Sequence, residues 1–80
     1  MGKRDIIEEI LNELMQAENK HPHFPKDVIH QVAIMNEESG EAIRAALQYH
    51  YEKGNIEEVR KELIQTAAMC IRTILHLPAS

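Results

Sequence analysis

Apolar side chains recur every three or four positions in three separate stretches of this chain. Ile6, Ile7, Ile10, Leu11, Leu14 and Met15 alternate with Glu8, Glu9, Asn12, Glu13 and Gln16, which predicts an amphipathic helix over about 5–18. Asp5, with Glu8 three residues on, reads as its N-cap and capping-box partner. A second helical pattern runs over about 27–53, carried by Val28, Val32, Met35, Ile43, Ala46 and Leu47 and widened by Ile29, Ala33 and Ile34. Gly54 fits the position just past its end. Asn55 and Glu58 repeat the capping pattern for a third helix over about 56–77, which stops before Pro78. Its apolar residues occupy two adjoining stripes, one from Ile56 through Leu63 and Cys70 to Leu77, the other from Ile64 through Ile71 to Leu75. This helix is therefore predicted to be the most buried. No stretch alternates with the period of a strand, so the fold class is all-α, in one domain spanning 1–80.

Residues 19–26 break the helical pattern. Pro22 and Pro25 cannot continue a helix, and His21 and His23 flank the first of them. Phe24, the only Phe, is either an anchor for this linker or a stacking surface for a planar ligand. The short Gly54-Asn55 connection makes the second and third helices antiparallel neighbours.

Size and charge narrow the range of functions. A chain of 80 residues buries only about 60–65% of its unfolded surface, and such chains often add burial by oligomerising. The net charge of −4 argues against a nucleic-acid backbone as partner. The one cysteine, Cys70, lies in an apolar run and reads as a small core residue. The charged residues among the N-terminal apolar positions do not fit a signal peptide, and no apolar run approaches the roughly 20 residues that cross a bilayer. A cytoplasmic location is the default expectation, without a membrane partner.

Against this background the segment Asn36-Glu37-Glu38-Ser39-Gly40-Glu41 stands out. At 100° per residue, Glu37 and Glu41 lie about 40° apart on the helix and Glu38 and Glu41 about 60° apart, so the three carboxylates can point toward one spot. Their mutual repulsion is offset either by solvent on an acidic face or by a hard divalent cation, which prefers oxygen ligands. Gly40 beside them allows close approach of a backbone or ligand. A second polar line, Glu58, Glu62, Gln65, Arg72 and His76, runs along the apolar third helix. Counted from the turn between the helices, Glu41 and Glu62 differ in height by roughly 7 Å, as do Glu38 and Gln65. The two lines can converge on one acidic pocket, and carboxylates on facing helices are a familiar way to hold metal in a bundle.

Glu37-Glu38-Ser39-Gly40-Glu41, a spacer of twenty residues, and then Glu62-Leu63-Ile64-Gln65 resembles the MazG-like all-α nucleoside triphosphate pyrophosphohydrolases. Their motif is E-E-x-x-E, a spacer, then E-x-x-D. The flanks Lys20-His21-Pro22, Phe24-Pro25, Ile29-His30 and Ala67-Ala68-Met69 through Arg72 look like the short phage and bacterial branch, and the resemblance covers about residues 10–77. It implies hydrolysis of a nucleoside triphosphate, ribose or deoxyribose, to the monophosphate and pyrophosphate. Mg²⁺, or Mn²⁺ in its place, would be held by Glu38, Glu41, Glu62 and Gln65. The resemblance also implies Glu37 as general base or orienting residue beside the ligating carboxylates. Arg72 and Lys61 are implied as phosphate contacts, and His30 and Phe24 as walls of the base pocket. Gln65 stands where the family has Asp, and a neutral amide is a poorer ligand for Mg²⁺.

Assembly is implied as well. Three helices cannot enclose the apolar surface of the third, so a homodimer or tetramer is expected, with a four-helix core drawn from the second and third helices of each copy. The rival readings are a helical oligomer that keeps the fold without turnover, and a module whose acidic faces bind a basic protein partner.

Overall fold

The computed structural model describes residues 1–78, which form three helices joined by short segments: α1 (Lys3–Lys20), α2 (Val28–Tyr51) and α3 (Ile56–His76), with no strand among the described residues. The all-helical expectation holds. The differences lie at the helix ends and have local causes. α1 begins before Asp5 because Gly2 takes the N-cap position and the Asp5 carboxylate, three residues in, accepts from the Gly2 N–H at 3.1 Å. Asp5 thus plays the reciprocal partner's part in the capping box and Glu8 has no part in it. Asp27 and Asn55 cap α2 and α3 as the sequence indicates, accepting from Ile29 N–H and Glu57 N–H, each at 2.8 Å. α2 ends at Tyr51. Lys53, at φ 58°, is the left-handed residue in this turn. Gly54 serves a different need, because a Cβ there would lie 2.8 Å from the Gln48 carbonyl carbon as its N–H bonds the Gln48 oxygen.

α3 is the central element. It packs against both α1 and α2, and these two do not pack against each other among the described residues. Leu14, Ala42, Ala45 and Ala68 are the buried apolar residues. Small side chains let α2 and α3 approach closely, while Leu14 seats α1 on α3. The burial expected of α3 is only partly realised. Ala68, Arg72 and Thr73 are buried, yet Ile56, Leu63, Ile74 and Leu75 remain more than half exposed. Cys70 is half-buried. The accessible area of 6291 Å² is about 1,400 Å² more than the roughly 4,900 Å² expected of a compact monomer of this mass.

The segment between α1 and α2 is held by polar contacts. Gln31 on α2 is 1% exposed and donates to the Pro25 carbonyl at 2.6 Å. Arg72 on α3 donates to the carbonyls of Ala17 and His21, where α1 ends. Its guanidinium lies 4.6 Å from the Phe24 ring centroid, and that ring packs at 4.9 Å against His76. Phe24 therefore does anchor the linker.

Candidate functional site

The antiparallel pairing of α2 and α3 brings the two polar lines together. Glu38, Glu41 and Glu62 each offer a carboxylate oxygen, and the three oxygens lie within 4.8 Å of one another. Glu38 and Glu62 are half-buried and Glu41 is exposed. Gln65 closes the group. With its amide turned to donate, Nε2 lies 3.2 Å from Oε2 of both Glu38 and Glu62. The opposite orientation sets the amide oxygen against two carboxylates, so the donating one satisfies the group. Gln65 thus bridges two acidic groups that an Asp there would repel.

The electrostatics follow from the crowding. Burial first, then the like charges of Glu41, Glu13 and Glu37, raise Glu38 above the usual carboxylate value. Burial likewise leads in raising Glu62, followed by its hydrogen bond to Glu41 and by the charges of Glu41 and Glu38, with Lys61 pulling the other way. A carboxyl raised in the folded state keeps a proton that the unfolded chain has released. Its contribution is therefore fully present below the ordinary value of 4.5 and is lost as pH rises through the raised folded value. Metal-free protein is expected to melt at a higher temperature as pH falls from about 7 toward about 5. Glu38→Gln should flatten that rise in calorimetric scans run with a chelator, and an equal slope in both proteins would show that the cluster does not govern it.

Beside the cluster lies a cavity of about 580 Å³ between α1, the linker and α2, floored by α3. Glu38 and Gln65 line its wall, so cluster and cavity are continuous. Phe24, His21 and His23 line it from the linker, Glu13, Gln16 and Lys20 from α1, and Arg72 from the floor.

The other expected site residues are placed differently. Arg72 is 3% exposed and both of its Nη atoms are spent on the α1 carbonyls, so it is neither a free phosphate contact nor an ion-pair partner of Glu58 or Glu37. His30 is exposed and not among the residues lining the cavity. Lys61 lines a smaller pocket of about 260 Å³ on the α1–α3 side and still acts on Glu62 through its charge. Glu37 is exposed at the edge of the cluster. Gly40 has open space where a Cβ would project, with no atom within 4 Å, so no backbone of this chain approaches it. Glu13 lies outside the acidic motif. Its line on α1, shared with Gln16 and Lys20, is the cue that marks the cavity wall.

Three carboxylate oxygens at this spacing suit a divalent cation. Ligands at about 2.1 Å on an octahedral Mg²⁺ sit about 3–4 Å from one another, which a small side-chain adjustment provides. The raised acid groups are the same ones a cation would relieve. No helix among the described residues is long and apolar enough to cross a membrane. No protein-family model, curated protein or solved structure matches the chain.

Proposed function

We propose that the chain is a MazG-like nucleoside triphosphate pyrophosphohydrolase that works with Mg²⁺. The observation that carries this reading is the convergence of Glu38, Glu41 and Glu62 from two helices, in motif order, next to a cavity that Glu38 and Gln65 line and that is large enough for a small molecule. An acidic site repels phosphates by itself, so the reading needs a cation between them. Glu38, Glu41 and Glu62 would hold the ion, with Gln65 completing the set through its amide oxygen or, turned to donate, fixing the Glu38 and Glu62 carboxylates beside it. The bound ion supplies charge neutralisation at the phosphate oxygens and orients water. Water adds to the α-phosphorus, the bond to the bridging oxygen of the β-phosphate breaks, and pyrophosphate leaves. Glu37, exposed beside Glu38 on α2, would take the water's proton, and Lys61 adds positive charge beside Glu62.

The proposal includes assembly. The excess of about 1,400 Å² over a compact monomer is of the order each protomer buries in an obligate dimer. Exposed Ile43 and Leu47 on α2, with Ile56 and Leu63 on α3, fit the four-helix core expected from the sequence. Gly40, open to solvent on α2, leaves room for a partner's backbone.

One observation favours the rival in which turnover has been lost: Gln65 meets Glu38 and Glu62 with a neutral amide donor where the family motif has a carboxylate. Pyrophosphate release from a mixed nucleoside triphosphate panel, with and without Mg²⁺, separates the two. For the metal itself, the triple Glu38→Gln, Glu41→Gln, Glu62→Gln variant is expected to stay helical. It should also melt higher than wild type in chelator and lose the stabilisation by Mg²⁺ that grows as RT ln(1 + [L]/Kd). Identical responses of the two proteins to Mg²⁺ would remove the site.

A further inference from the structure

Helix α1 turns a polar flank toward the cavity. Leu14 is buried and Ile10 and Ala17 are half-buried, so this line carries the docking of α1 on α3. At 100° per residue, Glu13, Gln16 and Lys20 lie to one side of that line and Ile7, Leu11 and Met15 to the other. The first set lines the cavity, and the second is left about half exposed. The helix is held by its interface with α3 alone, since α1 and α2 do not pack against each other among the described residues.

The polar flank also carries an unbalanced charge. Glu13 lines the cavity from α1 and Glu38 lines it from α2. After burial and the charge of Glu41, the charge of Glu13 is the next influence that raises the Glu38 carboxyl, so the two groups act on each other across the cavity. The ion pair seen among the described residues joins Arg60 to Glu9 and leaves Glu13 out. Lys61 shares a small pocket with Glu13, and Lys20 lies two turns along the cavity wall. These cations soften the repulsion without pairing with Glu13 among the described residues. Docking α1 therefore brings a further carboxylate toward Glu38, Glu41 and Glu62, which already crowd one another. Like charges on the two sides of the cavity oppose that docking.

We infer that α1 is a cation-controlled lid, in which Glu13 makes the docking of the helix depend on the charge held at Glu38, Glu41 and Glu62. The inference rests on the reading of that cluster as a divalent-cation site. With the cluster empty, Leu14, the Arg72 bonds and the Glu9–Arg60 pair hold α1 against the repulsion from Glu13. A divalent cation cancels most of the cluster's charge, and the opposition falls. The converse follows by linkage: docked α1 adds negative potential at the site and strengthens cation binding by the same factor. The cavity wall is thus loosest while the cluster is empty and firmest once it is loaded. Glu13 is a positioning residue here, acting through charge on the helix that carries it.

The test is hydrogen exchange of the intact protein, read by mass spectrometry on peptides from α1 and from the α2–α3 hairpin, in chelator and in Mg²⁺ at matched ionic strength. A cation that binds equally well with α1 docked or released protects the hairpin and leaves α1 exchange unchanged, so a change at α1 reads the coupling. Wild-type α1 peptides are expected to exchange roughly two- to fivefold more slowly in Mg²⁺. Glu13→Gln should exchange slowly at α1 already in chelator, gain little from Mg²⁺, and bind Mg²⁺ more weakly by a similar factor in calorimetric titration. Glu8→Gln, which removes a charge from the exposed face of the same helix, should behave as wild type in both measurements. Hairpin protection without any change at α1, or α1 protection that survives Glu13→Gln, overturns the inference and leaves the cation site in place. Mg²⁺ that changes neither set of peptides overturns both. Protection of α1 that depends on Glu13, in a protein that releases no pyrophosphate from any triphosphate, supports the lid and overturns the hydrolase reading.

Discussion

Arg72→Met is expected to lower the unfolding free energy by about 3 kcal/mol in urea titrations, one of the largest single-residue losses in the chain. The guanidinium is buried, donates to the Ala17 and His21 carbonyls, and covers the face of Phe24. Met fills similar volume without the two charge-assisted bonds. The carbonyls at the end of α1 then lose their donors and Phe24 loses its cationic neighbour. Removing the buried charge returns part of the loss, which is why the expected effect stays near about 3 kcal/mol rather than reaching the sum of the bonds. Arg72→Lys is expected to recover little, because an ammonium cannot reach two carbonyls and lie flat on a ring together. A loss under about 1 kcal/mol for Met would mean that the guanidinium is free to serve another purpose, such as the phosphate contact read from the sequence.

The second large effect concerns assembly, which follows from the proposed dimer. Sedimentation at micromolar concentration is expected to give at least twice the 9.2 kDa of one chain, with a melting temperature that rises with protein concentration. Two sets of exposed apolar residues are available: Ile7, Leu11 and Met15 on α1, and Ile43 and Leu47 on α2 with Ile56 and Leu63 on α3. Leu47→Glu should shift the protein toward monomer if the α2–α3 set forms the core, and Leu11→Glu if α1 does. A concentration-independent monomer, helical and cooperatively folded, would defeat the assembly and the four-helix core with it.

The parts of the fold that are legible in the sequence are those that depend on local rules. Three helices follow from periodicity, and Asp27 and Asn55 cap where their side chains reach a free N–H within two residues. The meeting of Glu38, Glu41 and Glu62 is legible too, because a tight antiparallel turn fixes the heights on both helices. What the pattern does not convey depends on space between elements. Arg72 reads as a site residue because it lies on the polar line of α3, but its partners are carbonyl oxygens of α1, which no residue type announces. His30 shares a helix with the cluster and still faces water, since a turn of helix carries a side chain away from the cavity as readily as toward it. The cavity itself is hidden for a related reason. It exists because α1 turns Glu13 and Gln16 toward α2, and the apolar period of α1 gives no sign of which flank meets which neighbour.

The absence of packing between α1 and α2 has a consequence for how the molecule opens. The α2–α3 hairpin is joined by a short turn and forms through pairings close in sequence, so it can assemble early. α1 adheres through one interface, built on Leu14, the Arg72 bonds and the Glu9–Arg60 ion pair. The lowest-energy opening of the native state is then the release of α1 as a unit, and its amides should exchange with solvent sooner than those of the hairpin. Such a release removes one wall of the cavity and leaves the three carboxylates where they are. Access to the cavity is thereby coupled to the docking of a single helix, and any ligand that bridges α1 and α3 slows that exchange by holding the helix down.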